Sequence, residues 1–235
     1  MSPYLRNVAQ QGDALELLRC LQDSEPGLRL AWFDPQHRST LDRLKFGNEG
    51  ARQRERCALP QMTDELIDEC LHELTRVLRP GGYLGLWADA YRLLEGYHLR
   101  IRSLLKPVCL VAWDNQRIGM GYRTRSRGDY LIVLQKPPIA AKSTWTDHAI
   151  PDRWIEKVDR NLHPHVKPIG LIRRLIGTTS RPGDLVVDPC AGSFTVMHAA
   201  LALGREFIGC DIAYGESKPQ RIIEGGLPQQ PEDRT

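Results

Sequence analysis

Short apolar runs alternate with segments of helical period along most of this sequence, and this alternation constrains the fold more than any other feature. Helical apolar stripes predict helices over 14–21, 63–80 and 167–179. Such a pattern is typical of an α/β domain with a mainly parallel sheet. Enrichment in β-branched and aromatic residues predicts strands over 29–34, 83–89, 108–114, 129–136, 184–189 and 206–212.

Acidic residues stand at the ends of four of these predicted strands, namely Asp34, Asp89, Asp114 and Asp211. Ligands of open α/β sheets bind beyond the carboxyl ends of the strands, so these carboxylates are candidates for a functional site. The alternative interpretation is that each acid caps the helix that follows it.

Composition excludes several other classes of protein. The chain has 235 residues, of which 41% are hydrophobic and 26% charged, as expected for one globular domain rather than a disordered or coiled-coil chain. No stretch is apolar enough to cross a bilayer, and no signal peptide is recognisable, so a cytoplasmic location is expected. The six cysteines are scattered, which predicts no metal site. A net charge of +3 permits a polyanionic partner.

Residues 185–212 carry the clearest chemical signal. A strand ends at Asp188, a turn of small residues and an apolar helix follow, and a second strand ends at Asp211. A small turn lets a ligand approach the backbone, and the second acid can accept hydrogen bonds from ribose hydroxyls. Because GxGxxG is absent, a nucleoside without phosphate, such as S-adenosylmethionine, fits better than a dinucleotide. A closely packed turn that binds nothing is the alternative.

Three segments in a fixed order give the chain a resemblance to a known family. DPQH at 34–37 follows an early strand, NLHPHVKP occupies 161–168, and DPCAGSF occupies 188–194. They resemble the Asp-Pro-Pro-Tyr tetrad, the His-Pro-x-x-Lys-Pro segment and the Asp-Pro-Phe-x-Gly-[Ser/Thr]-Gly turn of the β-class amino-methyltransferases of DNA, with Phe194 in place of the last glycine. The resemblance covers roughly residues 10–212. It implies a seven-stranded, mostly parallel, Rossmann-like methyltransferase sheet with a circularly permuted order of motifs.

The resemblance also implies roles for individual residues. In the catalytic tetrad Asp34, Pro35, Gln36 and His37, the Asp34 carboxylate and the Pro35 carbonyl accept the N–H bonds of a target amino group. His37 replaces the aromatic residue that stacks on the extruded base. Lys167 and the helix N-terminus after it are expected near the carboxylate of S-adenosylmethionine. The implied cofactor contacts are Asp13, His163, Lys167, Asp188, Pro189, Ala191, Gly192, Ser193, Phe194 and Asp211.

DNA contacts are expected from two groups of arginines in glycine-containing loops, because such groups neutralise phosphates. A solvated basic face is the alternative interpretation. The first group is Arg52, Arg54 and Arg56, and the second is Arg117, Arg123, Arg125 and Arg127.

The domain is expected to divide into four parts along the chain. Residues 1–137 form the catalytic half, and 138–160 form a short inserted segment that resembles a recognition region. Residues 161–214 form the cofactor-binding half of the same domain, and 215–235 form a polar tail. Because the insertion is short, the target sequence is expected to be short or relaxed.

The expected activity is methylation of adenine N6 in DNA, because acidic tetrads of this family favour adenine. Cytosine N4 and an RNA substrate are alternatives, and the resemblance is compatible with a homodimer. A catalytically silent nucleic-acid-binding protein is a further alternative, motivated by Gln36, His37 and Phe194. Cys190 follows a proline, as the nucleophile of cytosine C5 methylation does, but it lies inside the predicted cofactor turn.

Overall fold

The computed structural model describes residues 3–36, 61–119, 124–158 and 166–214. In these residues one seven-stranded sheet runs through the chain, and its strand order is β5-β3-β4-β2-β1-β6-β7. Four neighbouring pairs are parallel, and β4 is antiparallel to both β2 and β3. The predicted mostly parallel sheet is therefore confirmed. The strands are β1 (Leu28–Phe33), β2 (Tyr83–Ala88), β3 (Lys106–Asp114), β4 (Tyr130–Gln135), β5 (Arg153–Ile155), β6 (Leu185–Asp188) and β7 (Glu206–Gly209).

Helices cover both faces of the sheet, and each face has its own apolar core. Along β1, Ala31 and Phe33 face one core, while Leu30 and Trp32 face the other. The first core lies against α1 and α2, and the second lies against α4 and α5. The helices are α1 (Ala14–Arg19), α2 (Asp64–Val77), α3 (Ala90–Leu94), α4 (Ile169–Thr179) and α5 (Thr195–Ala202), with a 3₁₀ helix at Tyr97–Ile101.

Strand β5 was not among the strands predicted from the sequence. It lies within 138–160, the segment expected as an insertion, and pairs in parallel with the end of β3, Trp154 opposite Trp113. Three residues are too few to show an alternating pattern, and this is why the pattern of the sequence does not predict a strand there. This part of the expected insertion therefore belongs to the sheet.

Residues 144–147 of that segment are fixed to α4 and to the amino-terminal end of β2. The Tyr83 hydroxyl lies 2.8 Å from Thr144 Oγ1. The Thr146 N–H donates to Thr178 Oγ1 at 2.8 Å, and Arg174 pairs with Asp147 at 2.6 Å. Any part this segment plays in recognising DNA stays a prediction.

Predicted site residues lie at one edge of the sheet. The carboxyl ends of β1, β2, β3 and β6 meet there, because these strands run in the same direction. Strand β4 runs the opposite way, so its first residue lies at this edge. Among the described residues, no helix combines the length and the apolar character needed to cross a membrane.

Candidate active site

A lysine held between two carboxylates lies at this edge of the sheet. Asp34 follows β1 directly, and its Oδ2 lies 3.2 Å from Lys167 Nζ. On the other side, Asp129 Oδ2, just before β4, lies 3.1 Å from the same nitrogen. Lys167 precedes α4, so three distant parts of the sequence meet at one ammonium group.

Lys167 keeps its charge in this position. Burial alone would lower its pKa, but the carboxylates of Asp129 and Asp34 outweigh burial and raise the pKa above its ordinary value. The ammonium also lies 4.7 Å from the centre of the Trp87 ring, whose face attracts a cation. The site therefore contains a fixed positive charge that contacts the predicted catalytic carboxylate.

Asp188 ends β6 and is 4% exposed. Burial, and next the charge of Asp34, raises the pKa of Asp188 well above its ordinary value, which favours the neutral acid. Its Oδ1 accepts a hydrogen bond from the Cys190 N–H at 3.3 Å. Burial also raises the pKa of the Cys190 thiol, so the thiolate that a cytosine C5 nucleophile requires is disfavoured.

The turn between β6 and α5 uses most of its own N–H groups. The Cys190 N–H bonds to Asp188, Ala191 N–H to the Cys210 carbonyl, Gly192 N–H to Asp211 Oδ2, and Phe194 N–H to the Ala191 carbonyl. These four donors cannot also cradle a phosphate. The turn therefore agrees with the sequence interpretation that a ligand here carries no phosphate group.

Asp211 joins this turn to the end of β7. Its two carboxylate oxygens accept from Gly192 N and Ala213 N, each at 3.0 Å. A carboxylate has room for about four hydrogen bonds, so the side chain retains acceptor capacity. Asp13 lies beside the same strand end, because Gly12 N donates to the Asp211 carbonyl at 3.3 Å. The Asp13 side chain itself caps α1 through the N–H groups of residues 15 and 16.

Phe194 does not fill the turn, although it stands where the family usually has glycine. Its backbone takes the left-handed conformation, with φ 54° and ψ 27°, which a glycine adopts without strain. The ring is 2% exposed and packs edge-on against Phe207 and Tyr214 in the core beneath α5. Next to Phe194, Ser193 Oγ lies 2.8 Å from Thr195 Oγ1. Earlier in the turn, the Pro189 carbonyl accepts a hydrogen bond from the Cys210 thiol at 3.6 Å.

The N-terminus of α4 has an internal partner. Glu156 Oε1 accepts from Gly170 N at 3.0 Å, and Glu156 Oε2 accepts from Leu171 N at 3.3 Å. Glu156 follows β5, the strand that sequence reasoning missed. The free N–H groups expected after Lys167 for a ligand carboxylate are therefore already bonded at these two positions, and Lys167 itself contacts Asp34 and Asp129.

The structure describes the first three residues of the predicted tetrad, Asp34, Pro35 and Gln36, but not His37. Pro35 is buried and Gln36 half-buried, and the Gln36 carbonyl accepts from Met62 N at 2.8 Å. Met62 Sδ in turn lies 3.9 Å from Cys190 Sγ, which links the tetrad to the turn. The following predicted site residues lie outside the described residues: His37, Arg52, Arg54, Arg56, Arg123 and His163, together with the predicted tail at 215–235.

Three of the predicted DNA-binding arginines lie on a hairpin that continues β3 and β4 past the sheet edge. Asn115 N donates to the Arg127 carbonyl at 2.8 Å, and Gly119 N donates to the Ser126 carbonyl at 2.7 Å. Arg117, Arg125 and Arg127 are exposed there. Arg127 is also held by Asp114 Oδ1 at 3.1 Å.

Two residues of the site had no assigned role from the sequence. Asp129 immediately precedes β4, an antiparallel strand, so a search for acids at the carboxyl ends of strands does not find it. Glu156 follows a strand too short to detect. Of the four acids at strand ends, Asp89 is a helix cap, since it accepts from Arg92 N at 2.9 Å. The capping alternative was therefore correct for Asp89.

Comparison with known proteins identifies the family. The DNA methylase family of N6 and N4 enzymes matches residues 116–218. The type II methyltransferase M.HhaII of Haemophilus parahaemolyticus is 44% identical over 218 residues, covering 92% of this chain and 95% of that protein. The chain therefore belongs to the N6/N4 DNA methylase family, as the ordered motifs indicated.

Two solved structures share the fold. The complex of M1.HpyAVI with SAM has a TM-score of 0.60 at 17% identity, covering 86% of this chain and 91% of that one. The cytosine-N4-specific PvuII DNA methyltransferase has a TM-score of 0.63 at 17% identity, covering 87% of this chain and 81% of that one. These similarities confirm the methyltransferase sheet.

Proposed function

We propose that this protein transfers a methyl group from S-adenosylmethionine to the exocyclic N6 amino group of adenine in DNA. The observation that carries the proposal is the placement of Asp34, held by Lys167 at the edge where β1 and β6 end side by side. Family membership makes the protein a DNA methyltransferase, and the acid at the first position of the tetrad favours adenine over cytosine.

The residues of the turn and of β7 fit the cofactor. S-adenosylmethionine is the methyl donor, and when bound it supplies an electrophilic methyl group whose bond to sulfur breaks as the bond to nitrogen forms. Asp211, with its remaining acceptor capacity, would hold the ribose hydroxyls. The internally bonded N–H groups of the turn suit a ligand without phosphate. The ring of Phe194 points into the core and leaves the half-exposed backbone of Gly192 accessible.

Asp34 and Pro35 would activate the target amino group. The lone pair of an exocyclic amino nitrogen is delocalised into the base, so the nitrogen is a poor nucleophile. Hydrogen bonds from its two N–H groups to the Asp34 carboxylate and the Pro35 carbonyl favour a tetrahedral nitrogen and direct its lone pair at the methyl group. The positive charge that develops on nitrogen is stabilised by the carboxylate, and the excess proton leaves by way of Asp34 or water.

The arginine hairpin would bind the DNA backbone. Arg117, Arg125 and Arg127 project from the edge of the sheet that also holds Asp34, so phosphates bound there would flank an extruded base. The role of the 138–160 segment in choosing a short target sequence belongs to the same proposal, and base-by-base mapping of methylated sites tests it.

The experiment is a product analysis. Purified protein is incubated with unmethylated DNA or RNA and isotopically labelled S-adenosylmethionine, and the digested nucleosides are identified by mass spectrometry, with Asp34→Ala in parallel. Labelled N6-methyldeoxyadenosine that is lost in the variant supports the proposal. Label in RNA alone, or in no nucleoside, would overturn it.

Cytosine N4 is the second candidate base. The cytosine-N4-specific PvuII methyltransferase has the same fold, so the sheet suits an enzyme of either specificity. The chemistry at the amino group would be the same. Labelled N4-methyldeoxycytidine in the product analysis would identify this candidate as the correct one.

A further inference from the structure

Asp129 has no part in the activity as proposed so far, yet it contacts the same ammonium group as the catalytic carboxylate. Lys167 Nζ lies 3.1 Å from Asp129 Oδ2 and 3.2 Å from Asp34 Oδ2. The lysine side chain is 15% exposed, while the two acids are 38% and 33% exposed. The ring of Trp87, 4.7 Å away, closes a further side of the ammonium group.

The backbone around Asp129 is built to place it at this position. Trp113 N donates to the Asp129 carbonyl at 2.9 Å, which continues the pairing of β3 with β4 by one residue. A Cβ at the preceding Gly128 would lie 1.6 Å from the Trp113 carbonyl oxygen, so only glycine permits this close approach. The position of the Asp129 carboxylate is therefore set by the sheet rather than by a free loop.

The balance of charges in this cluster matters for the reaction. Lys167 stays protonated, since the two carboxylates outweigh its burial. Two carboxylates and one ammonium group carry a net charge of −1. With Asp34 alone, the lysine would form a neutral pair, and that pair would stabilise a positive charge on the substrate nitrogen less well.

We propose that Asp129 is a positioning residue for methyl transfer, which shares the Lys167 ammonium with Asp34, so that Asp34 is held in place and the cluster as a whole presents a net negative charge to the substrate amino group. This inference rests on the proposed function. It applies to adenine N6 and to cytosine N4 alike, because both present an amino group that becomes positively charged.

The test compares Asp129→Asn and Asp129→Glu with the wild type at saturating DNA and S-adenosylmethionine. Asp129→Asn keeps the size and removes the charge, and we expect kcat to fall about 10- to 100-fold, as when a partner that orients a residue of a site is changed. The KM for DNA and the Kd for S-adenosylmethionine should stay within about threefold. Asp129→Glu restores the charge and should recover part of kcat. Asp23→Asn, the same change at an exposed acid that pairs with Arg76 before the start of β1, is the matched control and should leave kcat unchanged.

A double-mutant cycle separates positioning from a structural role. If Asp129 acts through Lys167, then Asp129→Asn should cause no further loss of kcat in a Lys167→Met background. Additive losses, a change confined to KM or to the thermal midpoint, or wild-type kcat in Asp129→Asn would each overturn the inference. A wild-type protein that methylates no base would instead refute the proposed function. The proposed role of Asp129 in methyl transfer would then be refuted as well.

Discussion

Phe194 lets two opposing contributions to stability be measured at one position. Its left-handed backbone, with φ 54°, costs a residue with a Cβ about 1–2 kcal/mol. Its ring is 2% exposed, and removal of a buried phenylalanine ring costs about 3–5 kcal/mol. Phe194→Ala loses the ring and keeps the strained backbone, whereas Phe194→Gly loses the ring and also relieves the strain.

Phe194→Gly should therefore be more stable than Phe194→Ala, although both fall below the wild type. The relief of about 1–2 kcal/mol exceeds the roughly 0.5–1 kcal/mol of extra chain entropy that glycine loses on folding. The midpoints of these two ranges leave a difference of about 0.75 kcal/mol in favour of glycine, opposite to the usual order of these residues in a helix.

Urea unfolding of the two variants and the wild type measures this difference as a shift of the midpoint at constant slope. An alanine variant as stable as the glycine variant would refute the backbone argument. Variants that both unfold at the wild-type midpoint would refute the argument from packing of the ring against Phe207 and Tyr214.

Three further predictions concern charged residues. Because the pKa of folded Asp188 is raised, its contribution to stability is fully present below the ordinary carboxyl pKa and is lost as the pH rises from there through the folded pKa. Asp188→Asn should therefore gain stability relative to wild type as the pH rises, and a constant gap in urea unfolding from about pH 4 upward would contradict this. Glu156→Ala removes the acceptor for two N–H groups of α4 and should cost about 2 kcal/mol of unfolding free energy, and a loss below about 0.5 kcal/mol would contradict the capping role. Arg125→Ala and Arg127→Ala should each weaken DNA binding and reduce its salt slope by about 1, as measured by fluorescence anisotropy, and an unchanged slope would exclude contact with phosphates.

Much of the fold follows from local signals in the sequence. The strands that precede Asp34 and Asp188 are apolar runs of ordinary length, and the observed β1 and β6 lie within one residue of the predicted boundaries. The helix predicted over 63–80 begins after a Thr63 cap, which accepts from Leu66 N, and ends at Val77. Such features depend on neighbours in sequence, so a periodic pattern is enough to find them.

The contacts within the site depend on residues far apart in sequence. The contact of Glu156 with the start of α4 depends on β5, an edge strand of three residues. The contact of Asp129 with Lys167 depends on the antiparallel direction of β4. The role of Lys167 as a site residue stays a prediction, and its partners in the structure are the carboxylates of Asp34 and Asp129 rather than a ligand at a free helix N-terminus. Tertiary pairing of charges leaves no periodic trace in a sequence, and this is why these partners were missed.

The most direct test of the account is the rate of methyl transfer in a single turnover by Asp34→Asn. This change preserves the size of the side chain and removes its charge. With excess enzyme and bound labelled S-adenosylmethionine, we expect the transfer rate to fall about 100-fold or more, while the Kd for S-adenosylmethionine stays within about threefold. A variant that methylates adenine in DNA at nearly the wild-type rate would contradict the assignment of Asp34 as the catalytic residue.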